Sequence, residues 1–267
     1  MHLKRWLTAL VALPFLIFLI LKGGAFLFWV LIAGVSVLAL HEYHGMLFPN
    51  VPITAPFRIL NLATAPVMVA AAALGGVGGL SAGLVVGLFA AAFLGFREFT
   101  KTDNFTDLFA RQILGLIYIP FLLSFLMMLR LAYHGVSWVF LVLFLVAAAD
   151  TGAYYAGTYF GSLKLCPDIS PGKTVEGFAG GVGLSVVAAF LFKLIFFPAM
   201  GWGMMIVMGT LIPVIAPVGD LFESVQKRLA GVKDSGALLP GHGGLLDRID
   251  ALLFAAPVAY GIHAWLV

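Results

Sequence analysis

The chain has 267 residues, of which 62% are hydrophobic and 10% are charged, and its formal net charge is +3. Soluble domains contain roughly 45–50% apolar and about 25% charged residues, so this composition excludes a chain that folds in water alone. A single cysteine, Cys166, excludes an intrachain disulfide. We expect an all-α, polytopic integral membrane protein, because its apolar runs approach the roughly 20 residues that a helix needs to cross a bilayer.

The apolar runs predict about nine transmembrane helices. The predicted spans are residues 6–21, 25–40, 58–75, 79–96, 112–129, 137–158, 177–197, 203–218 and 249–266. The first span follows a basic start and resembles a signal peptide, but more apolar sequence follows at once, so we expect a retained helix or a re-entrant pair. About five spans fall in an N-terminal region, 1–135, and about four in a C-terminal catalytic region, 136–267, with polar loops at 161–176 and 219–248.

The positive charges predict the orientation of the chain, since cytoplasmic loops collect Lys and Arg. With a cytoplasmic N-terminus, 12 of the 15 Lys and Arg residues fall on the cytoplasmic side. Nearly every acidic residue lies on that side too. We therefore expect a protein of the cytoplasmic (inner) membrane whose polar active site faces the cytoplasm. The net positive charge mostly reflects the Lys and Arg residues of the cytoplasmic loops, so we expect no nucleic-acid partner.

The most polar segment runs from Asp220 to Asp250 and contains five carboxylates. A helix that continues past Pro217 would place four polar side chains on one face, because their spacing is i, i+3, i+4, i+7. These four are Asp220, Glu223, Ser224 and Lys227. Asp247 and Asp250, three residues apart, share a face at the start of the last span. Carboxylates from two helix ends could hold a divalent cation such as Mg²⁺, which takes oxygen ligands.

Cations and glycines are interspersed among these acids. The cations would neutralise polyphosphate charge, and the glycines would let backbone N–H groups approach it. The cations are Lys227, Arg228, Lys233 and Arg248, and the glycines are Gly231, Gly236, Gly241, Gly243 and Gly244. The alternative is that the cations are membrane anchors and the acids their partners, but anchoring requires neither five acids nor five glycines.

A second polar segment, 164–177, lies on the same predicted side of the membrane, so the two segments can meet. Its Ser170, Lys173 and Thr174 resemble a phosphate-binding turn in composition, although the upstream glycine of a P-loop is absent. An equal alternative is that a helix begins at Thr174, with Glu176 in its first turn.

Two further acids lie near or within apolar spans. Asp150 is well inside a span and is therefore a candidate functional residue, unless it hydrogen-bonds to Thr151 or a tyrosine and only joins helices. Glu42 lies between His41 and His44, which are three residues apart and could bind a metal. A polar cap at the membrane interface is the commoner role for such a group.

Several of these motifs resemble the signature of the phosphatidate cytidylyltransferases, also called CDP-diglyceride synthases. The resembling residues are Ser224, Lys227-Arg228, Lys233-Asp234-Ser235-Gly236, Leu239-Pro240-Gly241-His242-Gly243-Gly244 and Leu246-Asp247-Arg248-Ile249-Asp250. Segments 170–177 and 150–157 also resemble family motifs, so the resemblance covers the C-terminal half. Gln226 and Cys166 depart from the residues usual in the family, and neither removes a charged motif position.

The resemblance implies that CTP and phosphatidate react to give CDP-diacylglycerol and pyrophosphate, with a divalent metal and a homodimer. We expect catalytic roles for Asp220, Asp247, Lys227 and Arg248. We expect Asp220 and Asp247 to hold Mg²⁺, with Asp250 or Glu223 in support, and Asp150 to hold a second cation or to orient Lys173. The expected substrate-binding residues are Ser170, Lys173, Thr174, Ser224, Arg228, Lys233, Asp234, His242, Gly243 and Gly244.

Three alternatives differ from this interpretation in what they predict. A CTP-dependent polyprenol kinase would transfer the γ-phosphoryl group of CTP and release CDP rather than pyrophosphate. A cation transporter would place ionisable groups deep in several spans and on both sides of the midplane, whereas here the outer half is nearly uncharged. A structural membrane scaffold would leave the cytoplasmic cluster of charges unexplained.

Overall fold

The computed structural model of the protein describes residues 13–49, 51, 55–98, 105–238 and 243–266. Nine α-helices and one β-hairpin make up the described residues, with a π-helical turn between α4 and α5. The helices are α1 Leu13–Lys22, α2 Gly24–Leu47, α3 Pro56–Glu98, α4 Phe105–Leu116, α5 Leu122–Leu131, α6 Gly135–Phe160, α7 Val175–Phe196, α8 Trp202–Leu229 and α9 Leu246–Leu266. The π-helical turn is Ile117–Phe121, and the strands are β1 Lys164–Cys166 and β2 Ser170–Thr174.

Six helical runs in the described residues are long and apolar enough to cross a membrane. They are α2, α3, the run from α4 through α5, α6, α7 and α8. The chain is therefore an all-α integral membrane protein, as the composition predicts. The segment 6–12 of the first predicted span lies outside the described residues, and the count of nine spans stays a prediction.

The predicted spans 58–75 and 79–96 both lie within α3, a run of 43 residues. A straight helix of that length would extend about 65 Å, roughly twice the thickness of the hydrocarbon core. Gly76 interrupts the helix with φ 56° and ψ −140°. This conformation suits glycine, because a side chain is strained at positive φ. The break leaves two segments that are each long enough to span a bilayer.

The hairpin of β1 and β2 is an element that the apolar pattern does not predict. Its strands are antiparallel, with Lys164 opposite Thr174 and Cys166 opposite Ser170. The prediction that a helix begins at Thr174 is confirmed: the Thr174 hydroxyl accepts a hydrogen bond from the Gly177 amide at 3.1 Å, and α7 begins at the next residue. A short strand thus leads directly into a capped helix.

The described residues of 1–131 and 230–248 form one compact unit, which we call unit 1. Polar side chains connect its helices. The Tyr43 hydroxyl on α2 donates a hydrogen bond to the carbonyl oxygen of Arg111 at 3.0 Å. The side-chain amide of Asn61 on α3 donates one to the carbonyl oxygen of Gln112 at 3.3 Å. Helices α2 and α4 approach closely at Gly115, where a Cβ atom would lie 2.7 Å from the Tyr43 ring. These contacts fix α2 and α3 against α4.

The described residues of 132–229 and 249–267 form the second compact unit, unit 2. Its helices α6 and α7 pack with their backbones in contact. A Cβ atom at Gly181 would lie 2.8 Å from the carbonyl oxygen of Ala149, and one at Gly180 would overlap the Ala156 methyl group. Small residues permit such close packing in membranes, where association of helices depends on van der Waals contact.

We expect Gly180→Ala to destabilise unit 2, because the added methyl group has no space between α6 and α7. Forced overpacking typically costs about 1–3 kcal/mol. Gly183→Ala on the same helix is the matched control, since nothing lies within 4 Å of a Cβ atom there. Thermal unfolding in detergent should show a lower midpoint for Gly180→Ala only. Equal midpoints for the two variants would contradict the close packing.

Candidate functional site

An ion pair joins the hairpin to α8 in unit 2. Lys173 on β2 places its Nζ atom 2.7 Å from Oδ2 of Asp220, and the two side chains are 22% and 40% exposed. The same Nζ atom donates to the carbonyl oxygen of Pro217, one turn earlier in α8, at 3.5 Å. This contact brings the two polar segments of the sequence together, as predicted. Because both side chains keep access to solvent, the pair is available to an incoming charged ligand.

A cavity of about 500 Å³ opens beside this ion pair. Its polar lining includes Lys173, Asp220, Asp150 and Thr174, while much of its wall is made by alanines and glycines of α6 and α7. Those small residues are the ones that let α6 and α7 pack closely, so the packing of the two helices also shapes the cavity. The cavity therefore presents one cation and two carboxylates to a space of ligand size.

The hairpin that carries Lys173 is held by Glu176 in the first turn of α7. Its carboxylate accepts hydrogen bonds from the Ser162 hydroxyl, from the Ser162 amide at 3.1 Å and from the Leu163 amide at 3.2 Å. Charge-assisted hydrogen bonds of this kind are stronger than neutral ones. Glu176 therefore connects the end of α6, the start of the hairpin and the start of α7.

The predicted polar face of α8 is confirmed, because the helix continues past Pro217 to Leu229. Lys227 pairs with the buried Glu223 at 2.6 Å, and the Ser224 hydroxyl lies 3.4 Å from Oδ1 of Asp220. One turn on, Nε of Arg228 donates to the carbonyl oxygen of Ile169 at 3.4 Å. The last two turns of α8 thus contact the hairpin and each other through charged groups.

Asp250 adds a third carboxylate to this part of unit 2. It is buried on α9, and its Oδ1 atom accepts from the Ala251 amide at 2.8 Å. Asp220, Asp150 and Lys227 lie within electrostatic range of it. Carboxylate oxygens are the donors that Mg²⁺ prefers, so this set fits a hard divalent cation in kind. Within the described residues, no three acidic, histidine or cysteine side chains are arranged as a preformed metal site.

Asp247, at the start of α9, belongs to unit 1 and organises the loop that precedes it. Its Oδ2 atom accepts from the Gly244 amide at 2.8 Å, the Ser235 hydroxyl at 3.0 Å and the Ser235 amide at 3.1 Å. Gly243 has φ 80°, a conformation that favours glycine. The Gly244 amide, which we expect to face a phosphate, is hydrogen-bonded to Asp247 within the chain.

Sequence reasoning missed the importance of Glu42 in unit 1. Its Oε2 atom accepts from the Leu246 amide at 2.9 Å, across 204 positions of sequence. The signal available in the sequence was a single acid at the end of an apolar span. The structure does not arrange His41 and His44 as a metal site. Instead, Nε2 of His44 lies 3.3 Å from the amide nitrogen of Asn61.

The predicted site residues thus fall into three groups. Those in unit 2 surround the cavity or the adjoining turns of α8 and α9: Asp150, Ser170, Lys173, Thr174, Asp220, Glu223, Ser224, Lys227, Arg228 and Asp250. Those in unit 1 lie in or beside its loop: Lys233, Asp234, Gly243, Gly244, Asp247 and Arg248. The third group is His242 alone, which lies outside the described residues.

Comparison with known proteins gives a consistent result over the whole chain. A model of the cytidylyltransferase family matches residues 3–266. A phosphatidate cytidylyltransferase of Staphylococcus epidermidis is 32% identical over 259 residues, which are 95% of this chain and 96% of the relative. Enzymes of the same name are 40% identical over 152 residues in Bacillus subtilis and 48% identical over 130 in Haemophilus influenzae. In those two alignments the chain spans about half the length of the relative, 56% and 45%.

We expect Glu176→Ala to loosen the hairpin, since all the hydrogen bonds that Ser162 and Leu163 donate to this carboxylate would be lost. Hydrogen–deuterium exchange of residues 162–174 should become severalfold faster in detergent-solubilised protein. Asp168→Asn, an exposed change in the turn of the same hairpin, is the control and should leave exchange unchanged. Unchanged exchange in Glu176→Ala would show that other contacts hold the hairpin.

Proposed function

The chain belongs to the cytidylyltransferase family, and on that premise we propose that it is a phosphatidate cytidylyltransferase. It converts CTP and phosphatidate to CDP-diacylglycerol and pyrophosphate. The observation that carries the proposal is the similarity to the staphylococcal enzyme, which extends over 95% of this chain. The charged cavity of unit 2 supports it, because a cation beside carboxylates suits phosphate chemistry.

The reaction requires alignment and charge neutralisation rather than a protein nucleophile. An oxygen of the lipid phosphate attacks the α-phosphorus of CTP, a new P–O–P bond forms, and the bond to the β-phosphate breaks as pyrophosphate leaves. The lipid phosphate is already ionised near neutral pH, so no strong base is needed. A site built from lysine, arginine and carboxylate groups suits a reaction that needs no protein nucleophile.

Lys173 is central to this proposal because it lines the cavity and pairs with Asp220. An arriving phosphate competes with Asp220 for the lysine, so binding frees an oxygen of that carboxylate. The remaining phosphate charge is shared among other cations. These are Lys227, Arg228, Lys233 and Arg248. Ser170, Thr174, Ser224, Asp234, His242, Gly243 and Gly244 complete the proposed substrate-binding set.

We propose Asp220 and Asp247 as ligands of Mg²⁺, with Asp250 or Glu223 in support and Asp150 as a ligand of a second cation or an orienting partner of Lys173. When bound, Mg²⁺ contributes charge neutralisation on the CTP phosphates. The support for this assignment is chemical, since each donor is a carboxylate oxygen. Asp220 and Lys173 additionally hold each other in position, so the substitution of either changes the other.

We propose further that the chain crosses the inner membrane about nine times, with a cytoplasmic N-terminus and a cytoplasmic site, and that it acts as a homodimer. The charge bias of the loops supports the orientation. The exposed aromatic side chains of Tyr154, Tyr155 and Tyr159, near the cavity end of α6, would lie near the lipid headgroups in this arrangement. Acyl chains would then enter between helices, with only the phosphate reaching the polar cavity.

The direct test uses CTP labelled at either the α- or the γ-phosphorus, with detergent-purified protein, phosphatidate and Mg²⁺. The proposal predicts α-label in the lipid phase, γ-label in aqueous pyrophosphate, and loss of both products on chelation. Lipid that carries γ-label instead would identify a CTP-dependent lipid kinase. No label in lipid from folded protein would overturn the proposed function.

We expect Lys173→Met, Asp220→Asn and Asp247→Asn each to lower the rate of CDP-diacylglycerol formation by about 100-fold or more, as the loss of one electrostatic contact in a transition state typically does. Each variant should remain folded and inserted, since none fills a packed core. Asp107→Asn is the matched control, because Asp107 is an exposed acid paired with Arg111 on α4. Near wild-type turnover in either aspartate variant at low Mg²⁺ would refute the proposed ligand set.

A further inference from the structure

Glu42 is a buried carboxylate in the N-terminal half of the chain, outside the sequence motifs of the C-terminal half. It lies in the last two turns of α2 and is only 6% exposed. A carboxylate is costly to bury in a membrane protein unless it is hydrogen-bonded or used. The neighbours of Glu42 therefore indicate what this residue does.

Those neighbours belong to the loop that precedes α9, within unit 1. Oε2 of Glu42 accepts from the Leu246 amide at 2.9 Å, and the Ser235 hydroxyl lies 3.4 Å from the same atom. Leu246 is the first residue of α9, so its amide is one of the donors that a helix leaves unsatisfied at its start. Glu42 thus caps α9 from a distant helix, in the position where negative charge is favourable.

Ser235 connects this cap to Asp247. Its hydroxyl is 3.0 Å from Oδ2 of Asp247 and 3.4 Å from Oε2 of Glu42. A hydroxyl has only one proton to donate, and the shorter distance favours Asp247. The Ser235 backbone amide also donates to Asp247, so Ser235 lies between the two carboxylates and fixes the distance between them.

Two glycines of the loop are explained by the same carboxylate. A Cβ atom at Gly236 would lie 2.5 Å from Oε1 of Glu42, whereas one at Gly244 would overlap the Ser235 hydroxyl and lie 2.7 Å from Oε2 of Glu42. Neither position could carry a side chain without displacing Glu42 or Ser235. We infer that these glycines are required for close packing around Glu42 and Ser235, in addition to any approach of their amides to a ligand.

We propose that Glu42 is a positioning residue for the cytidylyltransferase reaction. It holds the start of α9 and the Ser235–Gly236 turn so that Asp247 is presented in one geometry. This inference rests on the proposed function, because it takes Asp247 as a group that acts in the reaction. Partners of this kind, one step removed from the reacting groups, typically change metal affinity or activity about 10–100-fold when they are altered.

Substitutions at Glu42 can separate hydrogen bonding from charge. Glu42→Gln keeps an acceptor for the Leu246 amide and loses the charge. Glu42→Asp keeps the charge, but its carboxylate is about 1.5 Å shorter in reach and cannot maintain the 2.9 Å contact. Glu42→Ala removes both. Ser36→Ala is the control, because Ser36 is fully buried on the same helix and, in the described residues, its hydroxyl has no hydrogen-bond partner.

Two readouts test the proposal. The first is steady-state kinetics, which gives kcat, the KM for phosphatidate and the Mg²⁺ concentration for half-maximal rate. The second is hydrogen–deuterium exchange of residues 243–247. Glu42→Ala and Glu42→Asp should lower kcat about 10–100-fold or raise the Mg²⁺ requirement similarly. KM for phosphatidate should be unchanged, and exchange of the loop should be faster. Glu42→Gln and Ser36→Ala should resemble wild type in both readouts.

Other outcomes overturn the proposal. If Glu42→Gln loses as much activity as Glu42→Ala while loop exchange stays slow, the charge of Glu42 acts directly. If Glu42→Ala keeps both its activity and slow exchange, Glu42 positions nothing. Should Glu42→Ala fail to fold, the other two variants still test the proposal, because Glu42→Gln is expected to resemble wild type and Glu42→Asp is expected to lose activity. If wild-type protein forms no CDP-diacylglycerol, the proposed function fails, and the exchange readout alone still tests how the loop is held.

Discussion

The ion pair between Lys173 and Asp220 joins the hairpin of unit 2 to α8, and the proposed chemistry of the cavity depends on it. A chain with 10% charged residues must pair or solvate each charge near the membrane. Here the pair lies at a cavity and keeps partial access to solvent, so it is held without being closed to a ligand. A fully buried pair would be costly to separate, whereas this one, under the proposed function, exchanges Asp220 for a phosphate group.

Several local features bring the two charges to 2.7 Å. The glycine contacts between α6 and α7 bring those helices close together, and the capping of α7 by Thr174 fixes where the hairpin ends. The hydrogen bonds that Ser162 donates to Glu176 then limit the movement of β2, which carries Lys173. Asp220 is placed by the continuation of α8 past Pro217. Packing of small residues between α6 and α7 is thus linked to the position of Lys173.

Unit 1 uses a carboxylate in a different way. Asp247 and Glu42 both accept hydrogen bonds from amide and hydroxyl donors of one glycine-containing loop. Hydrogen bonds from several backbone amides stabilise a carboxylate in one orientation. The N-terminal half of the chain, which lies outside the motifs of the C-terminal half, therefore contributes to the geometry of a signature motif through Glu42.

Much of the fold follows from the sequence for simple physical reasons. Apolar runs of about 20 residues predict membrane helices, and the three- and four-residue spacing after Pro217 predicts the polar face of α8. The hairpin at Lys173 cannot be predicted in this way, because its strands have only three and five residues and include a proline and a glycine. The contact between Glu42 and Leu246 cannot be predicted in this way either, because helical periodicity reports only on near neighbours along the chain.

The measurement that tests the central claim most directly is a structure of the protein with a non-reactive CTP analogue and Mg²⁺. Our account predicts that the triphosphate lies in the cavity of unit 2 and contacts Lys173, with the separation between Lys173 and Asp220 increased from 2.7 Å. A nucleotide bound away from this cavity, with the ion pair unchanged, would contradict the claim that phosphate chemistry takes place there.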